Sequence, residues 1–228
     1  MEFDRQRKTD SPPTPRTTVK RLPARGVYDR ESIYAILDEA LVCHVGFVDE
    51  GQPFVIPTIH ARDGDRLVLH GSRRSRMLIR LGEGVPACIT VTLLDGLVLA
   101  RSAFHHSMNY RSVVVLGRAT EIGDRGAKRA ALRQLVERIV PGRSSDSRGP
   151  SDAELDATGV VAFPLDEMSA KVRTGPPKDE ETDYELPHWA GVIPLALTPG
   201  NPLSDPRLRP GIPAPDYAKA YGRGRSHR

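Results

Sequence analysis

Between Arg66 and Leu81 the chain reads RLVLHGSRRSRMLIRL, and its centre carries two hydroxyls and three guanidiniums in five residues: Ser72, Arg73, Arg74, Ser75 and Arg76. Leu67, Val68 and Leu69 follow the turn signal Asp63-Gly64-Asp65 and read as a strand, while Met77, Leu78 and Leu81 keep near-helical spacing. The hydroxyls and cations therefore fall where a strand hands over to a helix. Backbone N–H groups at a helix start are unpaired and lie at the positive end of its dipole. With serine donors and a forked cation added, such a corner suits a phosphate. The same pattern also fits an N-capped, arginine-rich surface helix, and it contains neither a P-loop nor GxGxxG.

A second polar cluster, Arg101–Ser112, lies between two apolar runs and holds His105, His106, Asn109, Tyr110, Arg111 and Ser112. Adjacent histidines on a strand point to opposite faces, and no cysteine or carboxylate pattern completes a zinc site, so no metal site is assigned. Contact with a ligand, an axial bond to haem, or simple satisfaction of loop backbone groups all stay open. Serine hydrolase chemistry lacks its GxSxG elbow. A third cluster pairs Lys171 and Arg173, which alternate onto one face if a strand reaches them, with Trp189 beside Gly191. A glycine neighbour leaves room for the indole to lie against a flat ligand, although a solitary tryptophan also suits a core or an interface.

The elements that must hold these clusters are short. Asp29 caps a helix over Arg30–Leu41, Asp124 caps another running to about Val140, and Ser151-Asp152-Ala153-Glu154 forms a capping box. Strands are expected at Val42–Val48, Phe54–Ala61, Ala87–Leu94, Leu97–Ala100, Tyr110–Ala119, Val160–Leu165 and Val192–Leu197, with a turn at Asp95-Gly96. Pro57 suggests an edge or bulge position. Many strands joined by tight turns, with few helices, argue for an antiparallel barrel with helices packed outside, a mainly β fold.

The net charge of +4 is uneven: residues 1–25 hold seven Lys/Arg against three acids, residues 201–228 hold six against two, and the remainder is therefore at −4. The expected domain layout is a disordered basic arm over 1–25, a barrel domain over 26–198 and an extended Pro/Gly/Arg-rich tail over 199–228. Basic tails without interleaved aromatics do not describe a specific nucleic-acid reader. Cys43 and Cys88 form no disulfide framework and read as buried thiols of a reducing compartment. No signal peptide or membrane-length apolar run is present, so a cytoplasmic protein is expected.

Taken in order, YDRESIYAILDEALVCHVGFVDEGQPFVIPTIHARDGDRLVLHGSRRSRML, LLDGLVLARSAFHHSMNYRSVVVLGRA and SAKVRTGPPKDEETDY…WAGVIPL resemble the pyridoxamine 5′-phosphate oxidase-like family of split-barrel flavin-binding proteins. Within it, the branch related to nitroimidazole reductases is the nearest match. The resemblance implies a six-stranded antiparallel split β-barrel, a homodimer, and FMN at each subunit interface. It implies that Ser75 and Arg76 hold the flavin phosphate and that His70, Gly71 and Ser72 line the ribityl chain. The backbone at Pro57, Thr58 and Ile59 faces the flavin ring, and Asn109, Tyr110, Arg111 and Ser112 come from the neighbouring subunit. Lys171 and Trp189 join the cofactor set, and His105 and His106 flank an open flavin face for a small-molecule substrate. Met77 stands where the oxidases carry lysine, and their pyridoxal-binding arginine and histidine have no counterpart, so vitamin B6 oxidation is not implied. A deazaflavin coenzyme or haem in place of FMN, haem degradation, nitroimidazole-type reduction, and a non-catalytic flavin module are the alternatives.

Overall fold

The structure, a computed structural model, describes residues 13–222. The basic arm is therefore seen from residue 13. Thr14 and Arg16 bond to Glu167, and Pro23–Arg25 forms a 3-10 turn leading into β1 (Gly26–Val27). Asp29 accepts from the Ser32 amide and starts α1 (Arg30–Glu39). The hairpin β2 (Val42–Asp49) and β3 (Gln52–Asp63) follows, then β4 (Arg66–Ser72) and α2 (Arg76–Gly82). Next come β5 (Pro86–Leu99), β6 (Ser107–Arg118) and β7 (Thr120–Glu121), then α3 (Arg125–Ile139) and α4 (Asp152–Ala157). The chain continues through β8 (Thr158–Pro164), β9 (Glu167–Arg173) and β10 (Gly191–Pro194) to α5 (Asp216–Lys219).

All pairings are antiparallel, in the order β1-β9-β6-β5-β2-β3-β4-β8-β7, with β10 added to the far end of β5. This is a split β-barrel whose long strands are β2–β6, β8 and β9. The additional strands β1, β7 and β10 are edge pieces of two to four residues. The split lies within β3. Residues 52–59 pair with β2, whereas only residues 60–63 pair with β4, so the second edge of the 52–59 stretch carries no strand among the described residues. Pro57, which has no N–H to give a ladder, sits in that stretch.

The barrel interior is filled by Leu67, Leu69, Ile89, Val113, Val115 and Phe163, and α1 closes it with Ile33, Ile36 and Leu37. A second cluster forms outside, where Ala61, Val68 and Val160 meet Ala131 and Leu135 of α3. β4 is thus covered on both faces, which explains its uninterrupted Leu67-Val68-Leu69.

One expectation is corrected and one condition is met. Asp95-Gly96 is not a turn: β5 runs straight through it as a bulge between Leu94 and Gly96. Gly96 is required there because the Ile193 carbonyl lies 3.0 Å from where a Cβ would stand. β9 is also a full strand, so the alternation of Lys171 and Arg173 is real. Cys43 is fully buried, while Cys88 lies on the outer face and is only partly covered. No helix among the described residues is long and apolar enough to cross a membrane.

Candidate functional site

The split in β3 opens onto the Ser72–Arg76 corner. Ser75 is the N-cap of α2, its hydroxyl accepting from the Leu78 amide at 3.2 Å. Ser72 orders the approach: its carbonyl accepts from Ser75 N and its hydroxyl from Arg74 N. The Arg73 amide is tied to the Ala157 carbonyl. Arg76 then projects from the first turn with its guanidinium 4.3 Å from the centre of the Phe54 ring and Nε 3.4 Å from Asp49 Oδ2. About half of this side chain is exposed, and Asp49 is held more closely by Arg80 at 2.5 Å. Arg76 therefore keeps donors available to an anion. Met77, the next residue, is buried in the core, where an ammonium group would be costly.

Strand alternation separates three residues that the resemblance groups together. Gly71 packs against Leu78, on the α2 side. His70 sits on the opposite face with Val68 and lines a cavity of about 520 Å³ between α3 and the 144–150 loop. Its Nδ1 is buried without a hydrogen-bond partner, and burial lowers its pKa, favouring the neutral ring. An unsatisfied buried nitrogen costs roughly 1–3 kcal/mol unless something completes it.

Pro57 and Ile59 project from the outer face of the β2–β3 ribbon, and Thr58 from the inner one, opposite Cys43. Ser112 and Lys171 are register partners on that same outer sheet face, with the Ser112 hydroxyl donating to the Lys171 carbonyl. Tyr110 lies next to them, paired with Leu94 and Arg173. Arg111 is committed elsewhere. It binds both Glu39 and Asp95, a grip that raises its pKa and ties α1 to the β5 bulge. Asn109 is buried, donating to the Gly175 carbonyl and accepting from Arg173. Neither arrangement was signalled by residue type alone, because the partners of Arg111 and of Asn109 lie 16 to 72 residues away in sequence.

His105 sits on a 3-10 turn with Nε2 3.6 Å from Glu180, and His106 Nδ1 lies 3.0 Å from the Ser102 carbonyl. Asp179, whose side chain is buried, accepts from the Arg101 and Ser102 amides and so straps the 174–187 loop over this turn. Trp189 is exposed and lays its ring on Gly191, where a Cβ would fall 2.6 Å from the indole. Within one chain these groups are remote from Arg76: β5 pairs with the β2 hairpin at Ala87 and with the His105 side at Val98, about 35 Å apart along an extended strand.

Residues 29–172 match the family model described as pyridoxamine 5′-phosphate oxidase. The structure is similar to the flavocytochrome Anf3 from Azotobacter vinelandii, with 45% identity, a TM-score of 0.86, and coverage of 90% of this chain and 96% of that one. It is also similar to a FAD and haem binding protein from Mycobacterium smegmatis, at 38% identity and TM-score 0.82, covering 85% and 95% of the two chains. A putative 5-nitroimidazole antibiotic resistance protein from Bacteroides thetaiotaomicron is 30% identical with a TM-score of 0.53, over 64% of this chain and 86% of that one. None of the curated proteins matches the chain.

Proposed function

The chain belongs to the pyridoxamine 5′-phosphate oxidase-like family of split barrels, and from that premise we propose that it is a homodimeric redox protein carrying a flavin nucleotide and haem. The observation that carries the flavin half is the opening at the split. A stretch of strand with one open edge among the described residues, 52–59, ends beside an arginine whose donors are not used up. A flavin nucleotide brings one phosphate and one flat, edge-polar ring, which are the two things such a corner can hold. Arg76, with the Ser72 and Ser75 corner, binds the phosphate, and backbone groups of Pro57–Ile59 orient the ring edge. FMN and FAD share the ribityl phosphate, so either meets these residues in the same way. The Azotobacter and Mycobacterium relatives support haem as the second group.

When bound, flavin and haem supply electron transfer that no side chain of this protein offers. The chain's own part is to bind, orient and exclude water. Two features support the homodimer. Val42, Val48, Val55 and Ile59 form an exposed apolar stripe on the outer β2–β3 face, with Val55 67% exposed. The second is that the His105 turn and Trp189 are remote from Arg76 within one chain, so a site that uses both needs a second copy. Met77 and the missing pyridoxal-binding residues argue against vitamin B6 oxidation, and the oxidoreductase role is assigned to another small-molecule acceptor. The test is titration of the cofactor-free protein with FMN and FAD. One flavin per chain with quenched fluorescence, and colour that bleaches under reductant and returns with an electron acceptor, is expected. Absence of binding by both nucleotides overturns the proposal.

A further inference from the structure

We propose that haem sits in the slot between β4, α3 and the 144–150 loop, with the His70 imidazole as its axial ligand and Arg133 at its propionates. This deepens the flavin-and-haem reading and rests on it. The slot of about 520 Å³ falls in the size range of cofactor sites, roughly 300–1,000 Å³. One wall is apolar, from Leu132 and Val136 of α3. The rim is net cationic: Arg129, Arg133 and Arg148 line the same space, against one carboxylate, Glu154. Arg129 is engaged by Asp152 and Arg148 by Glu154, whereas Arg133 makes no ion pair among the described residues. An imidazole, an apolar wall and a cationic rim are the three features a flat dianionic porphyrin needs from a protein.

The other histidines near candidate sites are already occupied. His60 bonds the Leu37 carbonyl through Nε2, His105 faces Glu180 and His106 faces the Ser102 carbonyl. His70 alone of these four lines a cavity while its buried Nδ1 has no hydrogen bond. The slot is also built rather than accidental. Glu137 accepts from Gly142 N and from the Ser144 hydroxyl, the Arg148–Glu154 pair fixes the loop's other end, and Tyr217 of α5 packs on Gly142 and donates to Asp146. The placement differs from that of His105 and His106, either of which the sequence offers as an axial haem ligand.

The experiment loads the full-length wild-type protein and its His70→Ala, His70→Met, Arg133→Glu, His105→Ala and His106→Ala variants with hemin. Haem per chain, Soret position and the electron paramagnetic resonance of the ferric form are recorded, with far-ultraviolet circular dichroism and flavin content as checks on folding. The expected result is one haem per wild-type chain. H70A should lose at least tenfold in hemin affinity while keeping flavin, H70M should retain haem with an altered ligand signature, and R133E should bind more weakly. H105A and H106A should match wild type. Unchanged haem affinity and signature in folded H70A and H70M overturns the placement alone, as does loss of haem in H105A or H106A. A wild-type chain that takes up flavin but no hemin overturns the placement together with the haem half of the proposed function.

Discussion

Arg76 differs from Arg80, one turn further along the same helix, in how little of it is spoken for. Arg80 is clamped between Asp49 and Glu83, while Arg76 has one longer contact and an aromatic platform. Charge-assisted hydrogen bonds contribute roughly 1.5–3 kcal/mol, and each 1.4 kcal/mol is about tenfold in affinity. Arg76→Ala should therefore weaken flavin binding at least tenfold, with Arg76→Lys between the two because a point charge cannot replace the fork. Isothermal titration calorimetry with FMN or FAD measures this. The cysteines give a second residue-scale test. Burial pushes the Cys43 thiol up to about 12 and raises that of Cys88 as well. At pH 8 the native protein should leave Cys43 unlabelled by iodoacetamide, whereas both cysteines should react in denaturant; rapid native labelling of Cys43, read by peptide mass spectrometry, contradicts the packing. At this scale the sequence was partly legible. Ser75 as a cap can be read from its place before a helical run. His70 could not be separated from Gly71 and Ser72 until the alternation of β4 and the position of α3 were known. Arg111 reads as a ligand group by type, yet its carboxylate partners sit 72 and 16 residues away, a distance that local pattern cannot see.

Among the elements, the β5 bulge and α1 are held together by Arg111, whose side chain is mostly covered. Arg111→Ala leaves Glu39 and Asp95 facing each other without their cation and should cost about 1–2 kcal/mol of stability in urea denaturation. An unchanged midpoint would show that this tie is incidental. The start of α4 gives a pH test. Glu154 accepts from Ser151 N and from Arg148, and these bonds lower its pKa to about 2. The folded value lies below the unfolded one, so the stabilisation is fully present above the ordinary glutamate range and is lost as pH falls through about 2. The Ser151 amide should therefore titrate near pH 2 in a proton NMR series, and a midpoint above 4 would contradict the capping box seen here. This box was legible from Ser-x-x-Glu alone. The strand through Asp95-Gly96 was not, since an Asp-Gly pair reads as a turn when the chain that approaches Gly96, β10, is nearly a hundred residues further on.

For the whole molecule, the mainly antiparallel barrel followed from apolar runs joined by tight turns, and its split required the register of β3 against two neighbours. In the proposed homodimer the outer β2–β3 face is the contact: Val55→Lys puts a charge in the centre of the apolar stripe and should convert a dimer to a monomer in light scattering, with flavin affinity falling in parallel. If the wild-type chain is already a monomer, the two-protomer site is wrong. Most direct of all is the cofactor content of the purified wild-type protein, read from its absorbance spectrum and from mass spectrometry of what heat releases. One FMN or FAD per chain, with a Soret band from haem, is the predicted result. A colourless protein that takes up neither flavin on titration would contradict the account at its centre.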